Sequence, residues 1–156
     1  MPKEKPNLKT KPSLEKKSIN SDLPIDKQII NEIQNLEHFH NYQIRQLVNQ
    51  AEQFGRHLKE QRLETNQIRK FLDAINRLKA KLAQNADQEN LFSSVEPEIV
   101  LLQPKLAYVA ARQKAAKPLS DVISVAIKKV HTLEDFNRLV QFIEAIIAYH
   151  KAAGGN

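Results

Sequence analysis

Residues 65–82 read Thr65-Asn-Gln-Ile-Arg-Lys-Phe-Leu-Asp-Ala-Ile-Asn-Arg-Leu-Lys-Ala-Lys-Leu82. Ile68, Phe71, Leu72, Ile75, Leu78 and Leu82 recur at spacings of three and four, the pattern of an amphipathic helix. Thr65 is suited to be its N-cap. At about 100° per residue the apolar stripe takes one side of this helix. Lys70, Arg77 and Lys81 fall in a narrow sector opposite, with Asn66 beside them and Arg69 flanking them.

The helical period extends both ways from this stretch. Upstream, Ile25, Ile29, Ile33 and Leu36 form one stripe, and Ile44, Leu47, Ala51, Phe54 and Leu58 continue it, with a break near His38–Asn41. Gly55 weakens the second run locally. Downstream, the polar stretch Ala83–Asn90 reads as a loop. Ser93 or Ser94 ahead of Glu96-Pro97 is a helix-start signal. Pro104 ends or kinks that short helix and opens another, to about Ala116. Pro118 opens the next, with Leu119, Val122, Ile123, Ala126, Ile127 and Val130 on its buried side. Thr132-Leu-Glu-Asp135 resembles a capping box with Asp in the last position. The final helix, Leu133 to about Ala152, is apolar on more than one face, as a central bundle helix is. Gly154-Gly155 stand where a C-terminal cap belongs. The expected fold is all-α: a compact bundle of about five to six helices over residues 25–156.

Residues 1–24 differ in kind. They hold four of the seven prolines and six lysines among isolated apolar residues. Such a segment cannot bury enough surface to offset its ordering entropy, so a disordered basic tail is expected. It is either a plain solubilising extension or a tether that adds non-specific affinity for nucleic acid. The net charge is +6, and residues 1–17 supply +4 of it. The rest carries 18 basic and 16 acidic side chains. If the folded part meets a polyanion, its charges must be sorted onto one face.

Several chemistries are disfavoured. Without cysteine there is no disulfide, thiolate metal site or cysteine nucleophile. Three glycines, Gly55, Gly154 and Gly155, are too few and too scattered for a phosphate-binding loop or dinucleotide fingerprint. No Gly-x-Ser-x-Gly elbow occurs. His38 and His40, two apart, point away from each other on a helix, and His57, His131 and His150 stand alone, so surface or helix-end histidines are expected rather than metal ligands. Glu134-Asp135 suits a helix N-terminus without acid–base catalysis. We expect no enzyme activity, no cofactor and no metal. No secretory signal or membrane span is legible, so a cytoplasmic location is expected.

On the Pro104 helix, Lys105, Tyr108 and Arg112 share a face, and Ala107, Ala110, Ala111 and Ala115 permit close approach of a neighbour. Two readings of the basic faces are open. They are ordinary solvated faces, or they converge on a phosphate backbone, whose contacts fix register without reading bases. Tyr108 could stack on a base, but burial suits its spacing better.

Three runs carry a family resemblance: Thr65-Asn-Gln-Ile-Arg-Lys-Phe71, Leu106-Ala-Tyr-Val-Ala-Ala-Arg112, and Phe142-Ile-Glu-Ala-Ile-Ile-Ala-Tyr-His-Lys151 with the glycine pair. Together they resemble the small subunit of the Csm complex, the type III-A CRISPR–Cas effector, over roughly residues 42–155. The resemblance implies a helical bundle without a catalytic centre. It implies that copies stack as the inner filament along a guide-RNA–target-RNA duplex, beside the other Csm subunits, and contact its backbone, with RNA cleavage left to those subunits. By motif, Arg69, Lys70 and Arg112 become RNA-contact candidates. Arg77, Lys81 and Lys105 join them from the helical geometry alone. A helical protein–protein adaptor without a nucleic-acid role is the competing expectation. Residues 1–24 depart from the family pattern.

Overall fold

The computed structural model describes residues 22–84 and 87–154. The expected tail lies almost wholly outside the described residues. Among them the chain is helical throughout: α1 (Ile25–Gln34), a 3-10 turn (Phe39–Asn41), α2 (Ile44–Glu60), α3 (Thr65–Ala83), α4 (Gln88–Val100), α5 (Leu102–Arg112), a second 3-10 turn (Lys114–Ala116), α6 (Lys117–Ile127) and α7 (Leu133–Ala152). Only Leu101 separates α4 from α5, so the two act as one interrupted helix, and six helical rods make up the bundle.

The largest helix–helix contact joins α2 to α7. Phe54, Leu58 and Ala51 from α2 meet Phe142, Ile143 and Ile146 from α7 in one buried core. Gly55 is the point of closest approach. A Cβ placed there lies 2.7 Å from the His150 amide nitrogen, 2.8 Å from the Ile146 carbonyl and 2.9 Å from the Tyr149 Cβ. The glycine that looked like a weak point in the helix therefore permits backbone-to-backbone packing. One turn on, the buried His150 donates from Nε2 to the Leu63 carbonyl at 2.7 Å, across to the α2–α3 link. Its Nδ1 is enclosed and has no partner. His150 does lie in the last turn of α7, a helix end as expected, but it is buried in the core and not on the surface.

The link itself is a Schellman motif. Leu63 N–H donates to the Leu58 carbonyl at 3.0 Å and Arg62 N–H to the Lys59 carbonyl at 2.9 Å. Leu58 and Leu63 are both buried and supply its hydrophobic contact. The left-handed position that glycine usually takes is filled by Arg62, at φ 67°. At the C-terminus of α7, just beyond His150, Gly154 does occupy that position, at φ 98°.

The N-terminus of α7 is fixed by a buried carboxylate. Thr132 Oγ1 accepts from Asp135 N–H at 3.1 Å, which is the expected cap. The Asp135 carboxylate meets the Thr132 side chain but does not close a capping box on the Thr132 amide. It accepts from the His131 amide at 2.9 Å, the His40 amide at 2.9 Å and the His40 ring Nδ1 at 2.6 Å. Asp135 thereby ties the turn at Phe39–Asn41 to α7. Burial works to raise its pKa, but the His131 and His40 amides, the His40 ring and Thr132 together hold it below the ordinary 3.8. Phe39, Tyr42 and Phe142 cluster beneath this turn with ring centroids 5.4–5.9 Å apart. Burial, then Glu32, pushes the Tyr42 phenol up, so it stays a neutral donor to Gln50. His38 and His40 do not diverge: they stack at 5.3 Å because this segment is not an α-helix.

Three local expectations are corrected. Pro97 does not open a helix but lies inside α4, which begins at Gln88. Glu64, not Thr65, holds the N-cap position of α3, and Thr65 is the first helical residue, with its buried hydroxyl unpartnered. Of the small residues on α5, Ala107 and Ala111 are open to solvent, so no described helix of this chain packs on them.

Three outcomes test this account. Gly55→Ala gains about 1 kcal/mol of helix propensity, yet the clash with helical backbone outweighs it. A net loss of roughly 2 kcal/mol is expected in urea unfolding followed by circular dichroism. Arg62→Gly relieves the left-handed strain and raises stability by about 1 kcal/mol in the same assay. Asp135→Asn lowers stability at pH 7 by roughly 2–3 kcal/mol, because amides that met a carboxylate now meet a weaker acceptor. Since the folded pKa of Asp135 lies below its ordinary value, its contribution is complete above that value and fades as pH falls through the folded one. The gap between wild type and Asp135→Asn should therefore narrow in acid.

Candidate nucleic-acid interface

α3 packs against α7 and α4, whereas α5 packs chiefly on α6. Between α3 and α5 the bundle leaves a groove. Its main cleft, of about 360 Å³, is walled by Asn66, Lys70 and Ala74 from α3 and by Lys105, Tyr108 and Arg112 from α5. Its floor is apolar: Leu63, Phe71, Leu106, Val109 and Leu119 line it. A second cleft, of about 440 Å³, adjoins it through Ala74, Leu102 and Lys105 and adds Arg77 and Lys81.

Five of the six residues singled out from the sequence therefore border one groove: Lys70, Arg77, Lys81, Lys105 and Arg112. Arg69 does not. It is exposed on α3 but sits one residue, and so about 100°, away from Lys70. The basic faces of α3 and α5 do converge, as the sharper of the two sequence readings required.

The five cations are not equivalent. Lys81 pairs with Glu98 at 3.1 Å, and that carboxylate lies in the second cleft. None of the ion pairs among the described residues takes Lys70, Lys105 or Arg112. The positive potential is thus concentrated at the Lys70–Arg112 end. Arg112 donates to the Tyr108 hydroxyl at 2.9 Å and holds its guanidinium 5.7 Å from the ring centroid. Tyr108 is 63% exposed, not buried as its spacing suggested. Its place three residues from Lys105 and four from Arg112 was the available signal that it belongs to the cationic face rather than the core. Asn66, which the helical geometry set beside the cations, lines the cleft with them, whereas Gln67 and Gln113, which add polar groups along it, carried no such signal.

Among the described residues, no three His, Asp or Glu side chains gather as a metal site. The closest titratable cluster, His40 with Asp135 at 2.6 Å and Glu134 at 3.8 Å, is committed to holding the turn against α7. Among the described residues no helix is long and apolar enough to cross a membrane.

Fold and surface together define a class: an all-α bundle whose main surface feature is a cationic groove between two helices. The sequence narrows the class. Residues 41–156 match the family Csm2 Type III-A. The chain belongs to this family, whose members are structural subunits of the type III-A CRISPR Csm complex, with the other Csm subunits as partners. It is 30% identical over 95 residues to the CRISPR system Cms protein Csm2 of Streptococcus thermophilus, covering 60% of this chain and 74% of that protein. The same identity and length relate it to the protein of that name from Enterococcus italicus, covering 57% and 66%. No solved structure matches.

Proposed function

We propose that this chain is a non-catalytic, RNA-binding subunit of its CRISPR complex, contacting the backbone of the guide-RNA–target-RNA duplex through the α3–α5 groove. The observation that carries this reading is the convergence of Lys70, Lys105 and Arg112, without acidic partners among the described residues, on one groove. Arg77 and Lys81 extend it along the second cleft. A-form RNA is recognised largely through phosphates and 2′-hydroxyls, and guided systems leave sequence reading to base pairing. Cations without a base-reading signature suit that division. Arg69 keeps a role only as a contact on the adjacent face of α3, toward a second strand or a neighbouring subunit.

The same reading has several copies stacking along the duplex in the cytoplasm for antiviral defence. Ile44 and Val48 on α2 and Val100 and Leu101 at the α4–α5 junction are apolar side chains left in water, and contacts between copies would cover them. They equally support the other Csm subunits as neighbours. The basic segment within residues 1–17 adds a sequence-independent attraction to RNA.

Binding of a short, fully paired RNA duplex by the full chain should fall roughly 30-fold between 50 and 200 mM salt if about three phosphates are neutralised. Lys105→Glu combined with Arg112→Glu should weaken binding at least about tenfold at low salt. Both side chains are exposed, so the urea midpoint should change little. Unaltered affinity in that double variant, with its fold intact, rules out the groove as the RNA contact.

A further inference from the structure

A cationic rim accounts for phosphate binding but not for the floor of the groove. Leu63, Phe71, Leu106, Val109 and Leu119 form an apolar cleft that opens between the cations. A regular A-form duplex offers phosphates and sugar hydroxyls at its surface and keeps its bases stacked inside. It cannot fill such a cleft, so backbone contact alone leaves this surface wet. The size is informative. About 360 Å³ lies at the small end of ligand-sized pockets. A two-turn helix about 10 Å across and 11 Å long occupies roughly 850 Å³, so a helix from a partner could lie across the opening but not enter it.

The rim supplies what a single nucleotide needs. Tyr108 presents an exposed aromatic ring at the cleft, with the Arg112 guanidinium 5.7 Å from its centroid. Unstacked bases are held on aromatic rings and on guanidinium planes. Lys105 and Arg112, seven residues apart on α5, stand about 10 Å apart along the axis on either side of Tyr108. With Lys70 facing them from α3, they flank the cleft with charge complementary to a phosphate on each side of one sugar.

We infer that the main cleft is a nucleotide slot: it takes one unpaired RNA base, turned out of the duplex, against Tyr108 and the apolar floor, while Lys70, Lys105 and Arg112 hold its adjoining phosphates. This rests on the RNA-binding reading above and adds to it a reason for the groove's shape. No base identity is implied, because the floor is apolar and every base has a face to stack.

The test uses the full chain and three labelled RNA duplexes of one length, read by fluorescence anisotropy at fixed salt. One is fully paired, one carries a single bulged adenosine, and one carries an abasic residue in the bulge. The slot requires the adenosine bulge to bind about tenfold more tightly than the abasic bulge, a typical effect of one base–aromatic stack. Tyr108→Ala should erase that preference, read as the ratio of adenosine-bulge to abasic-bulge affinity within the variant, and Tyr108→Phe should keep it. Val109→Trp, which fills the cleft from its partly exposed edge, should erase it independently. Equal affinity for adenosine and abasic bulges, with salt-dependent binding of both, overturns the slot and leaves backbone contact standing. No salt-dependent binding to any duplex overturns both readings. If base and abasic bulges bind alike and a Glu/Leu amphipathic helical peptide competes for the groove, the cleft serves a protein partner and the slot is again overturned.

Discussion

The close approach of α2 and α7 at Gly55 is the constraint on which the remaining geometry depends. Because a Cβ at Gly55 would lie under 3 Å from the α7 backbone, only glycine lets the buried stripes of α2 and α7 meet at this separation. That separation puts His150 within reach of the Leu63 carbonyl and so fixes the link into α3. The link in turn sets where α3 leaves the core, and Leu63 closes one end of the groove. A conformationally costly residue, Arg62 at φ 67°, is tolerated there because two buried leucines and two backbone hydrogen bonds over-determine the turn. Position of the surface site is therefore inherited, through short contacts, from the centre of the bundle.

The groove exists because α3 and α5 take their packing from different partners. α3 spends its apolar stripe on α7 and α4, and α5 uses Leu102 and Leu106 toward the core beside α6. What apolar surface they keep toward each other, at Phe71, Leu106 and Val109, lines the floor of the groove and does not close it. Lys70, Lys105 and Arg112 make closure still less favourable, because bringing three unpaired cations together in a low-dielectric crevice is costly. The same residues that keep the two walls apart are those that an anion would draw together.

How much of this was legible in the sequence follows from the range of the interaction concerned. The stripes of α2, α3, α6 and α7 depend on neighbours three and four residues away, and they were readable. So was the Thr132 cap, a contact within one turn. Pro97 misled because the start-of-helix rule weighs proline alone, whereas α4 is nine residues old when it reaches that proline and gives up one amide bond near its end. Asp135 with His40, 95 residues apart, and His150 with Leu63, 87 apart, have no local signature. Tyr108 shows the limit most clearly. Its spacing fixed which face it shares with Lys105 and Arg112, but not whether a neighbour covers that face, and no element packs over it. Arg69 stands outside the groove for the opposite reason: motif likeness grouped it with Lys70, while helical geometry separates adjacent residues by about 100°.

The electrostatics can be carried one step further. Outside residues 1–17 the chain is nearly balanced, at 18 basic against 16 acidic side chains, so its field depends on arrangement rather than sum. Several acids are spent locally: Glu52 on Arg56, Glu144 on Lys79, Asp121 on Lys117, and Asp135 in the core. Glu98 neutralises Lys81 at the far end of the groove. What survives is a gradient along the groove, weak beside Glu98 and strongest where Lys70, Lys105 and Arg112 meet the apolar floor. Under the RNA-binding reading proposed above, a polyanion lying along it would be held tightest at that end, and the cleft proposed to shelter a base would also be the one that most attracts the phosphates on either side of it.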